Sequence, residues 1–226
     1  MSKLTNLEIT NAVLKNVGEA TVSALTSLTG IQLVAWDAIQ DVVMEIAHQS
    51  RWRPLESLGT FTLVTSTATY TETSNLMYED VESFRVPDNE DNIAVLTPQE
   101  WDSNYPKGIG TDTTGYPTAI MRYGGYFFLN KYPTTTENTK IVHFRYYQRP
   151  VLFGTGSTTG TCWFPEGTDY TVLINLATYK VMHYKDNPEA QVYYNKVYGR
   201  GGTMERMNAI YSKDQGRLKA RVTYAF

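Results

Sequence analysis

Apolar residues recur at helical spacing near both ends of the chain and at every second position through its middle. A chain patterned this way is neither an all-helical bundle nor an all-strand barrel. Ile9, Val13 and Val17 fall at i, i+4 and i+8 and predict a helix over about 6–17, started by the capping box Thr5-Asn6-Leu7-Glu8 and stopped by Gly18. A longer helix is predicted over about 31–51, apolar except for a narrow stripe of Asp37, Asp41, Glu45 and His48. A helix wet on so narrow a side packs against partners on several sides, either its own helices or neighbouring subunits. Pro54 closes it, because the residue before proline disfavours helical backbone.

The middle of the chain alternates. Residues 60–64 read as a strand, with Thr69-Tyr70-Thr71 as the returning arm of a hairpin. Residues 81–86 read as a strand ending at Pro87. Gly124-Gly125 is a two-residue hairpin turn between strands at 119–123 and 126–129, and 141–147 alternates again. The glycine- and threonine-rich tract 154–160 reads as a flexible loop. Helical spacing resumes over about 169–185, with Val172, Leu173, Leu176, Ala177, Val181 and Met182 apolar. A last helix follows Asn187-Pro188-Glu189, read as an N-cap with proline at N1, and Gly201-Gly202 interrupts it before Met204, Met207, Ile210 and Tyr211. In the final segment Arg217, Lys219, Arg221 and Thr223 alternate with Leu218, Ala220, Val222, Tyr224 and Phe226. This is a strand with one basic and one apolar face, which either pairs with its own sheet or adds to a partner's.

These elements give an α+β fold. Residues 1–52 and 165–213 form a helical bundle, 53–164 an inserted antiparallel β-rich domain (a sandwich or open barrel), and 214–226 an extended tail or strand.

Charge narrows the function classes. The net charge of −3 argues against a dedicated nucleic-acid binder, whose domains run basic. Residues 1–100 hold 5 Lys/Arg against 14 Asp/Glu, and the remainder 15 against 9. Such asymmetry reads as local surface chemistry or as a subunit with one acidic and one basic face, suited to head-to-tail stacking. The single cysteine, Cys162, excludes an internal disulfide and sits beside Trp163 and Phe164 as a small apolar group. The N-terminus lacks the apolar run of a signal peptide, and no stretch approaches the roughly 18 apolar residues of a spanning helix, so no membrane contact is expected.

No catalytic constellation is evident. His48, His143 and His183 form no i, i+4 pair and no H-E-x-x-H, so no metal site is expected. The 154–160 tract lacks the spacing of a dinucleotide fingerprint and the Gly-Lys-Ser/Thr of a P-loop. Glu72, Glu79, Asp80, Glu82, Asp88, Glu90 and Asp91 cluster around a single basic residue, Arg85, without calcium-loop spacing. They read as a solvated acidic face or as a wall that repels passing nucleic acid. Trp52, Trp101 and Trp163 read as core or interface anchors. The chain is read as no enzyme, with no cofactor.

A set of local motifs then falls in a telling order: Arg51-Trp52-Arg53; Val86-Pro87; Leu96-Thr97-Pro98-Gln99-Glu100-Trp101; Gly115-Tyr116-Pro117; Leu129-Asn130-Lys131-Tyr132-Pro133; Phe144-Arg145-Tyr146-Tyr147-Gln148-Arg149-Pro150; and Trp163-Phe164-Pro165-Glu166. Across nearly the whole chain this order resembles the head-to-tail adaptor (connector, or tail tubular A-type) proteins of tailed bacteriophages, especially short-tailed ones. The resemblance implies a virion protein made in the host cytoplasm. It implies a homo-oligomeric ring, usually of twelve copies, beneath the portal protein. The ring continues the DNA channel towards a downstream tail or nozzle protein, and double-stranded DNA passes without specific binding. Family tails commonly contact the portal, which makes Leu218, Val222, Tyr224 and Phe226 the expected docking residues. Glu79, Glu82, Asp88, Glu90 and Asp91 are expected on the lumen or on a partner-facing surface. Two alternatives stand beside this reading. One is another tail ring or tube component (terminator, nozzle or baseplate protein). The other is a carbohydrate-binding module using aromatics on the threonine-rich β-region.

Overall fold

Helical and alternating segments separate into two units, 1–55 with 150–226 and 56–149, in a computed structural model that describes residues 4–87, 92–106, 108, 113–151 and 170–212. In chain order the helices are α1 (Asn6–Asn16), α2 (Ile31–Gln49), α3 (Pro98–Asn104), α4 (Tyr170–Tyr184), α5 (Ala190–Tyr198) and α6 (Thr203–Tyr211). The strands are β1 (Glu56–Thr62), β2 (Thr69–Thr71), β3 (Leu76–Glu79), β4 (Ala94–Leu96), β5 (Ala119–Tyr123), β6 (Tyr126–Leu129) and β7 (Ile141–Gln148). The class is α+β, as the spacing predicts.

In the helical unit α4 is the hub, packed against α1, α2, α5 and α6. Val172, Leu173, Leu176, Ala177, Val181 and Met182 are all buried, together with Asn175 and Thr178. The expected capping box starts α1: the Thr5 hydroxyl accepts from the Glu8 N–H at 3.2 Å, and Glu8 accepts from the Thr5 N–H at 2.7 Å. Asn11 pins the following loop by exchanging two hydrogen bonds with Val22 (2.8 and 3.0 Å). The apolar breadth of α2 is used inside the chain: Trp36, Ile39, Val42, Val43 and Ile46 are buried, and the exposed residues are the Asp37, Asp41, Glu45, His48 stripe, Gln49 and a single apolar one, Leu33. The helix therefore holds no broad apolar face in reserve for neighbouring copies. Trp52 is fully buried, donates from its indole N–H to the Ile46 carbonyl at 2.6 Å, and bridges to Ser212 beyond α6. The Ser50 and Ser212 hydroxyls hydrogen-bond beside it. Gly201-Gly202 separates α5 from α6 as expected. Pro188 does not occupy N1, because the helix begins two residues later at Ala190 and the Asn187 side chain accepts from the Glu189 N–H at 2.9 Å.

The β unit holds two sheets, ordered β1-β7-β3 and β2-β6-β5-β4. Phe61, Val142, Phe144 and Tyr146 from the first meet Ile120, Phe127 and Leu129 from the second in one core. Phe144 stacks on Phe84 (centroids 4.7 Å, 2° between planes) and meets Phe127 edge-on at 5.3 Å. Gly59 lies opposite Phe144 in the β1–β7 register, and a Cβ there would sit 2.3 Å from the ring. The hairpin at Gly124-Gly125 forms as read, with both residues at positive φ (60° and 85°).

Three strand expectations are corrected. Residues 69–71 pair with β6 rather than with 60–64. The chain changes sheets between Leu63, whose N–H and C=O bond Lys140 and Thr139, and Ala68, whose C=O accepts from Leu129. Residues 81–86 form no continuous strand, because Ser83 Oγ takes the place of a main-chain acceptor, receiving the Arg145 N–H at 2.8 Å while donating to the Asp80 carbonyl. The chain rejoins β7 only at Arg85, which exchanges backbone bonds with His143. Finally, the domain is not wholly antiparallel: β4 and β5 pair parallel, a geometry made possible by the crossover through α3. That helix carries a second capping box, Thr97 with Glu100, and proline in its first turn.

Glu8 and Glu100 are held below the usual carboxylate range, first by the N–H groups of Thr5 and Thr97. Glu137 is held low first by the Thr134 hydroxyl. A carboxylate whose pKa is lower folded than unfolded adds stability that is complete above the unfolded value, about 4.3, and is lost as pH falls through the folded one. The melting temperature should therefore fall as pH drops below about 4.3. A Thr5→Val, Thr97→Val, Thr134→Val chain should show a shallower decline in the same circular-dichroism melts.

Candidate interaction surfaces

Among the described residues, Glu72, Glu79 and Asp80 of the acidic segment that stood out in sequence are answered from within the β unit. Arg122 on β5 donates from Nε to Glu72 at 2.5 Å, from Nη1 to Glu79 at 2.9 Å and to the Met77 carbonyl at 3.3 Å. Because Glu79 and Met77 belong to β3, this one guanidinium ties an edge of the first sheet to the second. Burial opposes the charge on Arg122, yet the two carboxylates outweigh it and hold the group firmly protonated. Asp80, itself buried, faces Arg145 Nη2 at 3.2 Å, while Arg145 Nε lies 3.6 Å from Glu56. Glu82 is exposed on the turn that Ser83 creates, and Asp88, Glu90 and Asp91 lie outside the described residues. The structure thus separates Glu79, a structural partner of Arg122, from Glu82, a surface charge. Arg122 and Arg145 were the missing partners; the signal in the sequence was a lone arginine within an otherwise uncharged strand.

Removing that staple has a measurable expectation. Arg122→Met should lower unfolding stability by about 1–3 kcal/mol, discounted for partial exposure, since two half-buried carboxylates lose their counter-ion. Adding Glu72→Gln and Glu79→Gln to the same chain should recover part of the loss in urea titrations.

Across the helical unit, aromatic rings form a row. Tyr198 and Tyr194 lie 4.9 Å apart, Tyr194 and Tyr179 5.2 Å, and Tyr179 and His183 5.8 Å. Burial holds the Tyr198 hydroxyl above its usual range, and Gln49 donates to it at 2.6 Å. Lys180 lies 3.1 Å from Glu45 and 3.9 Å from Asp41, so the acidic stripe of α2 is partly neutralised from α4.

The polar centre of the β unit is structural. Asn130 is buried; its Oδ1 accepts from the N–H groups of Thr118 (3.0 Å) and Ala119 (2.9 Å), and its Nδ2 donates to Tyr105 and Thr118 hydroxyls, both at 2.9 Å. Of the histidines, His48 lies 2.7 Å from the Met44 carbonyl and His183 stacks on Tyr179. Among the described residues no group of three His, Cys, Asp or Glu side chains is placed to hold a metal ion. Trp101 is buried in α3 against Tyr105. Cys162, Trp163, the 154–160 tract and the expected docking residues Leu218, Val222, Tyr224 and Phe226 lie outside the described residues.

A sequence match running through both units makes this a bacteriophage adaptor protein, a structural component of the virion that works in contact with other head and tail proteins. The chain belongs to the SU10 adaptor protein family, whose model matches residues 5–222. No curated protein matches it at a significant level. Among the described residues no helix is long and apolar enough to cross a membrane.

Proposed function

We propose that the chain is the head-to-tail adaptor that forms a ring beneath the portal, joins capsid to tail and continues the DNA channel. Membership of the adaptor family over residues 5–222 is the observation that carries this reading. Copies join by heterologous contacts that close on rotation, twelve of them by the family resemblance. A conduit must not grip DNA, since many Lys/Arg–phosphate contacts would stall transit, and a chain of net charge −3 suits that requirement. The apolar face of the terminal segment, Leu218, Val222, Tyr224 and Phe226, docks on the portal. Glu79, Glu82, Asp88, Glu90 and Asp91 face the lumen or a basic tail partner, and Glu82 carries most of that role among the described residues because Glu79 is committed to Arg122.

Portal-bearing heads mixed with purified chain test the reading directly. The full chain should bind and permit tail attachment, and a chain lacking residues 224–226 should remain folded and fail to bind. Binding by the truncated chain would remove the terminal segment from the docking surface; failure of the full chain to bind would overturn the adaptor position itself. Glu82→Lys should slow tail attachment or DNA ejection without a change in melting temperature, whereas Glu79→Lys should also destabilise the β unit by cutting the Arg122 staple.

A further inference from the structure

Among the described residues, β1 is the longest sheet edge left open. It pairs with β7 over seven residues without a register shift, and no strand lies on its other side. His143 spends its N–H and C=O on Arg85, and Arg145 spends its own on Ser83 Oγ and the Asp80 N–H, all away from β1. Their register partners Thr60 and Leu58 therefore make no main-chain bonds to them. Leu58, Thr60 and, by alternation, Thr62 aim N–H and C=O away from β7. All three are exposed, Leu58 at 77%. The usual protections of an edge are missing from Glu56–Thr62, which holds no proline, no lysine and no bulge. The other edges are poorer templates: β2 and β4 have three residues each, and β3 has four with a register shift between Leu76 and Tyr78.

We propose that the β1 edge receives residues 217–224 of a second copy as an added strand, held by main-chain bonds to Leu58, Thr60 and Thr62. Three observations choose this occupant. Residues 217–224 alternate strictly between basic or hydroxyl side chains and apolar ones, the pattern of a strand with one side on a core. β1 offers the margin of such a core: Phe61 is only partly buried among the rings of Tyr70, Phe127 and Phe144, and Leu218, Ala220 and Val222 extend the apolar layer past it. Charge agrees as well. Residues 213–226 hold 4 basic against 1 acidic residue, the β unit holds 7 against 12, and β1 has no basic side chain to repel the newcomer. Donor and acceptor on different copies make the contact head-to-tail. While held there the segment is withheld from the portal, so portal and neighbouring copy compete for the same residues. The choice of a second copy and this competition rest on the ring and portal reading above; the strand addition itself does not.

The test uses the full chain and a fluorescein-labelled peptide of residues 214–226, read by anisotropy at dilute chain. The parent should bind it, and a peptide of the same composition with its alternation scrambled should bind about tenfold more weakly or not at all. Thr60→Pro removes one outward N–H and no bond to β7, a change that an edge strand accepts, so peptide binding should fall about tenfold or more with an unchanged melting temperature. In sedimentation velocity the parent should associate as its concentration rises, and both Thr60→Pro and a Leu218→Asp, Val222→Asp chain should stay monomeric. Equal peptide binding by parent and Thr60→Pro, or none by the parent, overturns the proposal. Association lost in Thr60→Pro but kept in the double-aspartate chain also overturns it, since β1 edges would then be pairing with one another. So does a parent that is monomeric at every concentration while its 217–224 amides resist hydrogen exchange, because the segment would then be held by its own copy. Portal-bearing heads keep the two readings apart. Thr60→Pro, whose terminal segment is intact, should still bind them, and a parent that binds the peptide but not the heads would support strand addition and count against the portal reading alone.

Discussion

Phe144→Ala lowers the stability of the β unit by about 3–5 kcal/mol, measured as a shift in urea midpoint at constant slope. The ring is the centre of the core: it stacks on Phe84, meets Phe127 edge-on, and covers Gly59 across the β1–β7 pair. Alanine leaves a cavity bounded by two other rings and by strands fixed in register, so collapse can fill little of it. The companion change is Gly59→Ala. Its Cβ would sit 2.3 Å from the Phe144 ring tip, and moving that ring disturbs the stack on Phe84, a penalty of about 1–3 kcal/mol. In the Phe144→Ala background the same Gly59→Ala change should be far milder, because the obstacle is gone. Strict additivity in this cycle would show that the two residues do not share the space described.

Trp52→Ala should cost about 3–5 kcal/mol in the helical unit. The indole is fully buried where α2 ends, and its bridge to Ser212 ties that end to the end of α6. Trp52→Phe keeps most of the apolar volume but removes the N–H donated to the Ile46 carbonyl, so a loss of about 1–2 kcal/mol is expected. Thermal melts of the two variants separate packing from hydrogen bonding; equal losses would mean that the ring's volume is unimportant.

Periodicity found the helices because their apolar spacing is set by a partner on one or two sides, as in α1 and α4. It found β7 for the same reason: Val142, Phe144 and Tyr146 face the core in strict alternation. It misjudged 81–86, where alternation is genuine but Ser83 offers its hydroxyl to the backbone of β7 and turns the chain outward. It also missed α3, whose start is written in Thr97-Pro98-Gln99-Glu100, because one buried tryptophan is too little periodic signal for so short a helix. Pairing was the least legible property. Nothing local in 69–71 says that its partner lies at 126–128, and nothing in the acidic segment names Arg122 and Arg145, which reach it from strands far along the chain. Long-range partners are set by which faces are left to cover after each sheet forms, and that is decided by the whole core.

The helical unit is assembled from both flanks of the β unit, and this orders events during synthesis. All of 56–149 has been polymerised before the hub helix α4 is made. Translation of the interval between α2 and α4, about 120 residues, occupies roughly 6–25 s at bacterial rates. Throughout that wait Trp36, Ile39, Val42 and Val43 have no finished surface to rest on, while the strands can already have condensed. A chain truncated before residue 170 and released from the ribosome should thus display a settled middle and a sticky beginning, and holdase chaperones should bind it through α2.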